Sequence, residues 1–416
     1  MIVRSESWFL RPEASRAFVA GVAAGLVFLA SWAVIHHGFY SRSPIIDTPV
    51  YEKYGDAMAD GKVPYRDFHV EYPPAALPVF VLPALGARRG DLDTYRRRFE
   101  PLMALCGLGM IAGMAWALAS LGASWLRMGL ALGLAAVSPL LLGPVVLSRF
   151  DLWPAALAAL GLAAVLTGQE RVGAGLLGLG FAAKVWPAVL LPLALIYAWR
   201  RGGRHDAAVV VSIFAAVAGI CFLPFAIVAP GGLWHSLADQ ASRALQIESL
   251  GAALLLAAHQ VGGLALTMVS SSGSQNLAGS LPHAFATYST VLQILAVAGI
   301  WLWFARGSAE PERLVRACAA AVVAFVAFGK VLSPQFLIWL VPLVPLVRGR
   351  RGLGAGGLLA LTLVLTQIWF PYRYWRLPLG FDSAISWLVL ARDLLLLVLL
   401  VALLWPSRPE PEAARS

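Results

Sequence analysis

Apolar runs that approach the length of a membrane span recur along almost the whole of this 416-residue chain. Hydrophobic residues make up 59% of it and charged residues only 13%, whereas an ordinary soluble domain carries about 25% charge. A helix needs roughly 20 mostly apolar residues to cross the hydrocarbon core. The sequence therefore predicts an all-α polytopic membrane protein. Clear spans are predicted at 17–35, 97–119, 206–229, 284–305, 313–329, 353–371 and 384–405, and shorter ones at 75–87 and 334–347.

Proline falls in the middle of two further apolar stretches, 126–148 and 172–199. Because proline removes a helical hydrogen bond, each stretch is either one kinked span or a hairpin of two half-spans. The predicted total is about 12 or 14 transmembrane helices, including the short half-spans. We favour hairpins, since broken helices at membrane depth are tolerated where they line protein or a cavity. Hairpins place Arg149, Asp151 and Lys184 on the outer side.

The formal net charge of +10 would indicate a nucleic-acid partner in a soluble protein. In a membrane protein the positive-inside rule explains it, because basic loops stay in the cytoplasm. No nucleic acid is therefore expected, and both termini are predicted to be cytoplasmic. The arginine clusters assigned to that side lie at 4–16, 88–98, 200–204, 306–316 and 348–351.

The chain is predicted to form one integral membrane domain over residues 1–405, followed by a disordered cytoplasmic tail at 406–416. Two long polar segments interrupt the apolar pattern. They are predicted to be extended outer loops, at 36–74 and 230–283.

The first of these loops is rich in carboxylates, and Asp47 lies about a dozen residues beyond the first span. A carboxylate held near the membrane surface can act as a general base and take a proton from an acceptor hydroxyl. The same residue also fits a structural role. Asp47-Thr48-Pro49 has the pattern of a helix start, with a capping side chain followed by proline in the first turn.

Several short motifs follow this aspartate in a fixed order. Gly61–Tyr65 reads G-x-x-P-Y and is followed by Tyr72-Pro-Pro74. This loop resembles the first extracytoplasmic loop of GT-C glycosyltransferases, and especially glycosyltransferase family 87, the polyprenyl-phosphate-mannose-dependent α-mannosyltransferases. Further segments that resemble the family are Lys184–Pro187, Arg243–Ser249, Ser274–Gly279 and Ser333–Gln335. One departure is Ser148–Asp151, where many members carry a glycine-glutamine-x-asparagine motif.

The resemblance implies a GT-C type fold and the transfer of a hexose, mannose first, from a polyprenyl-phosphate donor. The acceptor would be a lipid or glycan hydroxyl at the outer face of the cytoplasmic membrane. Asp47 would be the general base and the reaction would invert the anomeric carbon. Fixed cations would stabilise the leaving phosphate, and the candidates are Arg243, Lys184, Lys330 and Arg149. The candidate substrate-binding residues are Tyr51, Tyr65, Asp151, Glu248, Gln275, Asn276 and Gln335.

No metal or other cofactor is expected from the sequence, because histidines such as His36 and His69 show no metal-ligand spacing. A divalent cation shared with Asp47 is the less favoured alternative. Membrane lipids are the other expected partners. Two other kinds of protein would share this composition: a transporter or lipid flippase, which would show inverted repeats and paired charges near the midplane, and an inactive GT-C-like protein. Arg392 and Asp393 fall inside the last span and are interpreted as a structural pair.

Overall fold

The computed structural model describes residues 12–42 and 45–405, and this part of the chain is largely helical. The predictions made for Arg4, Arg11 and the tail at 406–416 lie outside the described residues. The helices are α1 (Pro12–Val34), α2 (Thr48–Ala59), α3 (Leu77–Ala84), α4 (Leu92–Ser120), α5 (Trp125–Leu142), α6 (Leu152–Leu166), α7 (Glu170–Ala183), α8 (Leu191–Val228), α9 (Pro230–Ser242), α10 (Leu250–Gly262), α11 (Ser280–Arg306), α12 (Pro311–Ala327), α13 (Gly349–Trp369), α14 (Arg376–Gly380) and α15 (Ser383–Leu404).

Seven helices within the described residues are long and apolar enough to cross a membrane. Their outer surfaces are apolar, as on α8, where Ile220 and Ile227 are 73% and 70% exposed. The chain is therefore a multi-pass membrane protein. Seven is fewer than the predicted total of about 12 or 14 transmembrane helices. Part of the difference arises because some of the helices are short and because two helices are merged in α8. Helices α6, α7 and α12 have 15, 14 and 17 residues, and α8 is a merger of two helices that meet at Gly203 with a φ of 81°.

The segment between α1 and α4 remains at one end of the bundle. His36, just after α1, lies 2.9 Å from Glu100 in the first third of α4, so the two helices are antiparallel neighbours. Arg89, which follows α3, donates from Nε to Asp60 Oδ1 at the end of α2, over 2.7 Å. Helices α2 and α3 therefore pack beside the start of α4, at the end of the bundle that carries Asp47. We call this end the Asp47 end.

This arrangement corrects the predicted span at 75–87. The segment forms a short 3₁₀ turn at Pro74–Ala76 and the eight-residue helix α3, which is too short to span. Helix α4, with 29 residues, is about 43 Å long and exceeds the roughly 30 Å hydrocarbon core. Its first turns therefore project at the Asp47 end. The assignment of the arginines at 88–98 to the opposite end is wrong for this reason.

The two proline-containing stretches behave differently. Helix α5 continues through Pro139 to Leu142, so 126–148 contains a single span and not a hairpin. The second stretch is broken after α7 at Lys184, and a 3₁₀ turn at Trp186–Leu190 leads into α8. The chain therefore reverses at Lys184, as the hairpin interpretation predicted.

The end of the bundle opposite the Asp47 end is built from arginines that bind backbone carbonyls and a carboxylate. Arg127, at the start of α5, donates to Glu312 Oε1 over 2.7 Å. Arg351 donates to the carbonyl of Trp405 over 2.6 Å, which brings the start of α13 to the end of α15. The predicted basic clusters gathered at this end are 200–204, 306–316 and 348–351.

A small antiparallel sheet interrupts the second long loop, which the sequence analysis did not foresee. Its strands are β1 (Leu245–Gln246), β2 (Thr267–Ser271) and β3 (Ser274–Ala278), in the order β1-β3-β2. The sheet also contacts the segment that contains Lys330, because the backbone N–H of Gln246 donates to the backbone carbonyl of Lys330 over 3.0 Å. It thus ties this loop to the turn that follows α12.

We expect Gly113→Ala to destabilise the bundle, because α4 and α6 touch through their backbones at this glycine. A Cβ at Gly113 would lie 2.7 Å from the Leu160 amide nitrogen and 2.8 Å from the Ala159 carbonyl carbon. Overpacking of this kind costs about 1–3 kcal/mol. The control is Gly129→Ala on α5, where the new Cβ meets nothing within 4 Å. Thermal unfolding in detergent at one scan rate should show a lower midpoint for the first variant only, and equal midpoints would contradict this packing.

Candidate functional site

A chain of ion pairs forms at the Asp47 end, where four polar side chains from three separate segments meet. Asp47 pairs with Arg149, whose side chain is only 7% exposed. Two residues further on, Asp151 accepts from Lys184 Nζ over 2.6 Å. Arg149 and Asp151 lie in the turn between α5 and α6, and Lys184 lies in the break between α7 and α8. The structure therefore brings together the predicted base and two of the predicted phosphate ligands.

The capping role considered for Asp47 is not seen. Asp47 does occupy the N-cap position of α2, but its side chain makes no capping hydrogen bond. Its carboxylate contacts Arg149 and the hydroxyl of Tyr51, which lies 3.5 Å away. The side chain of Asp47 is 28% exposed. It is therefore the most accessible of the four charged side chains, since those of Arg149, Asp151 and Lys184 are more deeply buried.

Aromatic rings enclose Lys184. Its Nζ lies 4.7 Å from the ring centre of Phe150 and 5.2 Å from that of Trp339. The Trp339 indole also donates to Asp151 Oδ1 over 2.6 Å. Burial lowers the pKa of Lys184, and the adjacent Asp151 carboxylate opposes that shift. Trp339 is not recognisable as a site residue from the sequence, since it lies in an apolar run and nothing in its spacing sets it apart.

The other two predicted phosphate ligands bind neutral oxygens. Arg243, directly after α9, donates to Ser274 Oγ over 2.9 Å, and Lys330 donates to the Ala241 carbonyl over 2.7 Å. Arg243 is close enough to lower the pKa of both Lys330 and Lys184 by charge repulsion, after the larger effect of burial. Arg243, Lys330 and Lys184 therefore form a region of positive charge.

Glu248 is buried, at 1% exposure, in the loop between β1 and α10. It accepts from Gln246 Nε2 over 2.9 Å, and its backbone carbonyl accepts from Arg392 over 2.7 Å. Burial raises the pKa of Glu248 to about 8, against the opposing charges of Arg392 and Arg149. Arg392 and Asp393 are 2.7 Å apart and face the bundle interior, as predicted for a structural pair. Arg392 thus anchors the Glu248 loop to α15.

The remaining predicted substrate-binding residues make contacts within the fold. Tyr51 is buried and stacks on Phe80 with ring centres 4.5 Å apart. Tyr65 donates to the Tyr72 carbonyl over 2.6 Å. The other three are the partly buried Gln275, which accepts from Ser270, the buried Asn276, which donates to Ser271, and the partly buried Gln335, whose Oε1 is buried without a partner.

One group within the described residues has the donor set of a metal site. It consists of His69, His235 and Asp239, whose ligand atoms all lie within 4.8 Å of one another. It lies on the surface, apart from the ion-pair chain. The group is not recognisable from the sequence, because His69 is far from the other two residues along the chain.

Removing one member of the Asp151–Lys184 pair should leave an unpaired buried charge. We expect Asp151→Asn to destabilise the protein by about 3–5 kcal/mol, and the double variant Asp151→Asn/Lys184→Met by less than the sum of the single variants. Arg66→Gln is the control, because Arg66 forms an exposed pair with Asp67 that is worth about 0–1 kcal/mol. A double-mutant cycle on thermal stability checks this, and additive effects would show that the two side chains are not coupled.

The Glu248 carboxyl should make stability pH-dependent. Its pKa is about 8 in the folded protein against a reference of 4.5, so the folded state keeps the proton while the unfolded chain releases it. Stability is then highest below the reference pKa and falls as pH rises towards 8, by up to about 1.4 kcal/mol per pH unit. Glu248→Gln should remove this dependence. Melting curves between pH 5 and pH 9 compare the two proteins, and parallel pH profiles would contradict the assignment.

A cavity of about 610 Å³ lies between α5 and α13 at the end opposite the ion pairs, and none of the predicted site residues lines it. Comparison with known proteins adds no family: no family model and no curated protein matches the sequence.

Proposed function

We propose that the protein is a membrane glycosyltransferase of the GT-C type that works at the Asp47 end of the bundle. The observation that carries the proposal is the accessible carboxylate of Asp47, held against Arg149 and beside Asp151 and Lys184. A helix cap would not need these partners. A transferase that uses a phosphate-linked donor needs both a base and fixed cations in one cleft.

The donor is proposed to be a polyprenyl-phosphate hexose, with mannose as the first candidate. Arg149, Lys184 and Arg243 would surround its phosphate, and Lys330 would add charge at the edge. Burial lowers the pKa of Arg149 only to about 10, so its guanidinium stays charged at neutral pH. Because these cations are partly desolvated, their attraction for a developing phosphate charge is stronger than it would be in water. The polyprenyl chain would lie against the apolar outer surface of the helices.

The chemistry is a single displacement. The acceptor oxygen attacks the anomeric carbon, the bond between that carbon and the phosphate oxygen breaks, and the phosphate leaves with the electron pair. The acceptor proton passes to Asp47. Arg149 holds Asp47 in the free protein, so the arriving phosphate would compete for the guanidinium and release the carboxylate. The acceptor is proposed to be a lipid or glycan hydroxyl.

The proposed location is the cytoplasmic membrane, with the Asp47 end outside. The arginine clusters at the opposite end support this orientation through the positive-inside rule. The arginines at 88–98 belong to the Asp47 end and run against the rule. Two of them pair with carboxylates, Arg89 with Asp60 and Arg96 with Glu100.

Asp47→Asn should reduce sugar transfer by about 10²–10⁴-fold, because the acceptor proton would have no base. The assay follows radiolabelled polyprenyl-phosphate mannose with purified protein in lipid, with a lipid and glycan extract as acceptor. Asp93→Asn is the matched control, since Asp93 is an exposed carboxylate at the start of α4. Donor binding and gel-filtration profiles show whether Asp47→Asn still folds. The variant Asp47→Glu tests whether a displaced carboxylate restores part of the rate of sugar transfer.

Three results would contradict the proposal. Equal activity of wild type and Asp47→Asn would remove Asp47 as the base. Absence of donor binding by the wild type would remove this donor class. Movement of the donor across the bilayer without transfer of the sugar would indicate a flippase.

A further inference from the structure

The surface group of His69, His235 and Asp239 joins the two long loops at the Asp47 end. His235 and Asp239 are four residues apart on α9 and therefore project from the same face. His69 belongs to the loop that precedes α3. His235 Nε2 lies 3.2 Å from Asp239 Oδ2, and His69 Nε2 lies 4.0 Å from the same oxygen.

The backbone on both sides of His69 is fixed against α9. Gly232 lies so close to the Tyr65 carbonyl that a Cβ at this glycine would come within 1.8 Å of the carbonyl oxygen. Two turns later Gln240 donates to the Glu71 carbonyl over 3.2 Å. These two contacts hold residues 65–71 against α9. The three side chains are therefore brought together by contacts of the backbone on both sides of His69.

The spacing suits a transition metal. Imidazole nitrogen and carboxylate oxygen bind Zn²⁺ at about 2.0–2.2 Å, and two such ligands at a tetrahedral angle are about 3.3 Å apart. The His235–Asp239 separation already has this value, and the His69 contact is within 1 Å of it. Two imidazoles select Zn²⁺, Cu²⁺ or Ni²⁺ over Mg²⁺ and Ca²⁺, which prefer sites made of oxygen alone.

The group is also open to an ion from solution. The side chains of His69, His235 and Asp239 are 47%, 69% and 40% exposed, and three protein ligands leave a fourth position for water. One carboxylate faces both imidazoles, whose ring centres are 5.7 Å apart. Two imidazole nitrogens and a carboxylate oxygen are a donor set that can share one cation.

We propose that His69, His235 and Asp239 bind one divalent transition-metal ion, Zn²⁺ in the first instance, which clips the first outer loop to α9. This ion would not take part in the ion-pair chain around Asp47. It would stiffen α9, whose last turn leads directly into Arg243. The site stands on its own contacts and does not depend on the proposed sugar transfer.

The test uses full-length protein in detergent, without a polyhistidine tag and stripped with a chelator. Titration with Zn²⁺, with metal content measured after dialysis, should give one tight site per chain in the wild type. His69→Ala and His235→Ala should each lower the affinity for Zn²⁺ by at least about 100-fold, since each variant lacks one of the three ligands. His205→Ala is the control, because His205 is an exposed histidine directly after the basic cluster at 200–204.

A second measurement identifies the ligands. The X-ray absorption spectrum of the zinc-loaded protein should show two imidazoles and one or two oxygens at about 2.0–2.1 Å. The thermal midpoint should rise with Zn²⁺ in the wild type and in His205→Ala, but not in the two site variants, because only a folded site binds the ion. The inference is overturned if the wild type retains no zinc, or if either site variant binds it as tightly as the control.

Discussion

The structure around Asp47 depends on one constraint: a charge removed from water must be paired, since an isolated buried ion costs several kcal/mol. Arg149 and Asp151 are 5% and 1% exposed, and both lie in the turn directly before α6 begins. The pairs with Asp47 and Lys184 meet that constraint. Each pair joins segments that are distant in sequence, so the same contacts that neutralise the charges also fix how α2, α6 and α7 meet.

Much of this architecture could be predicted from the sequence, though partly through two errors that cancelled. The interpretation of 75–87 as a span added one crossing, and the interpretation of 126–148 as a hairpin added another. Together they left Arg149 on the same side as Asp47, where the structure has it. Apolar length alone did not separate a short span from a helix such as α3 that packs at the end of the bundle, because the apolar run at 75–87 extends beyond the helix itself. The deciding information is the contact of α3 with α2 and α4.

The parts that could not be predicted are those that depend on tertiary contacts. Trp339 lies in an apolar run and reads as core, and only the fold shows that its indole donates to Asp151. His69 lies 166 positions before His235, so no local spacing could reveal their meeting. The capping pattern at Asp47 was correct for backbone position but not for side-chain bonding. The local sequence is compatible with more than one role for such a residue, and its contacts with residues distant in sequence determine which role it has.

The two ends of the bundle differ in the partners that their cations bind. At the basic end, arginines such as Arg351 bind backbone carbonyls that helix termini leave unpaired, so these cations complete the secondary structure. At the Asp47 end, Arg149 and Lys184 pair with carboxylates instead. Hydrophobic residues of similar volume often replace such buried pairs without loss of stability. Stability therefore does not explain the two ion pairs that include and adjoin the partly exposed Asp47, whereas the proposed transfer of a sugar from a phosphate would use that combination of charges.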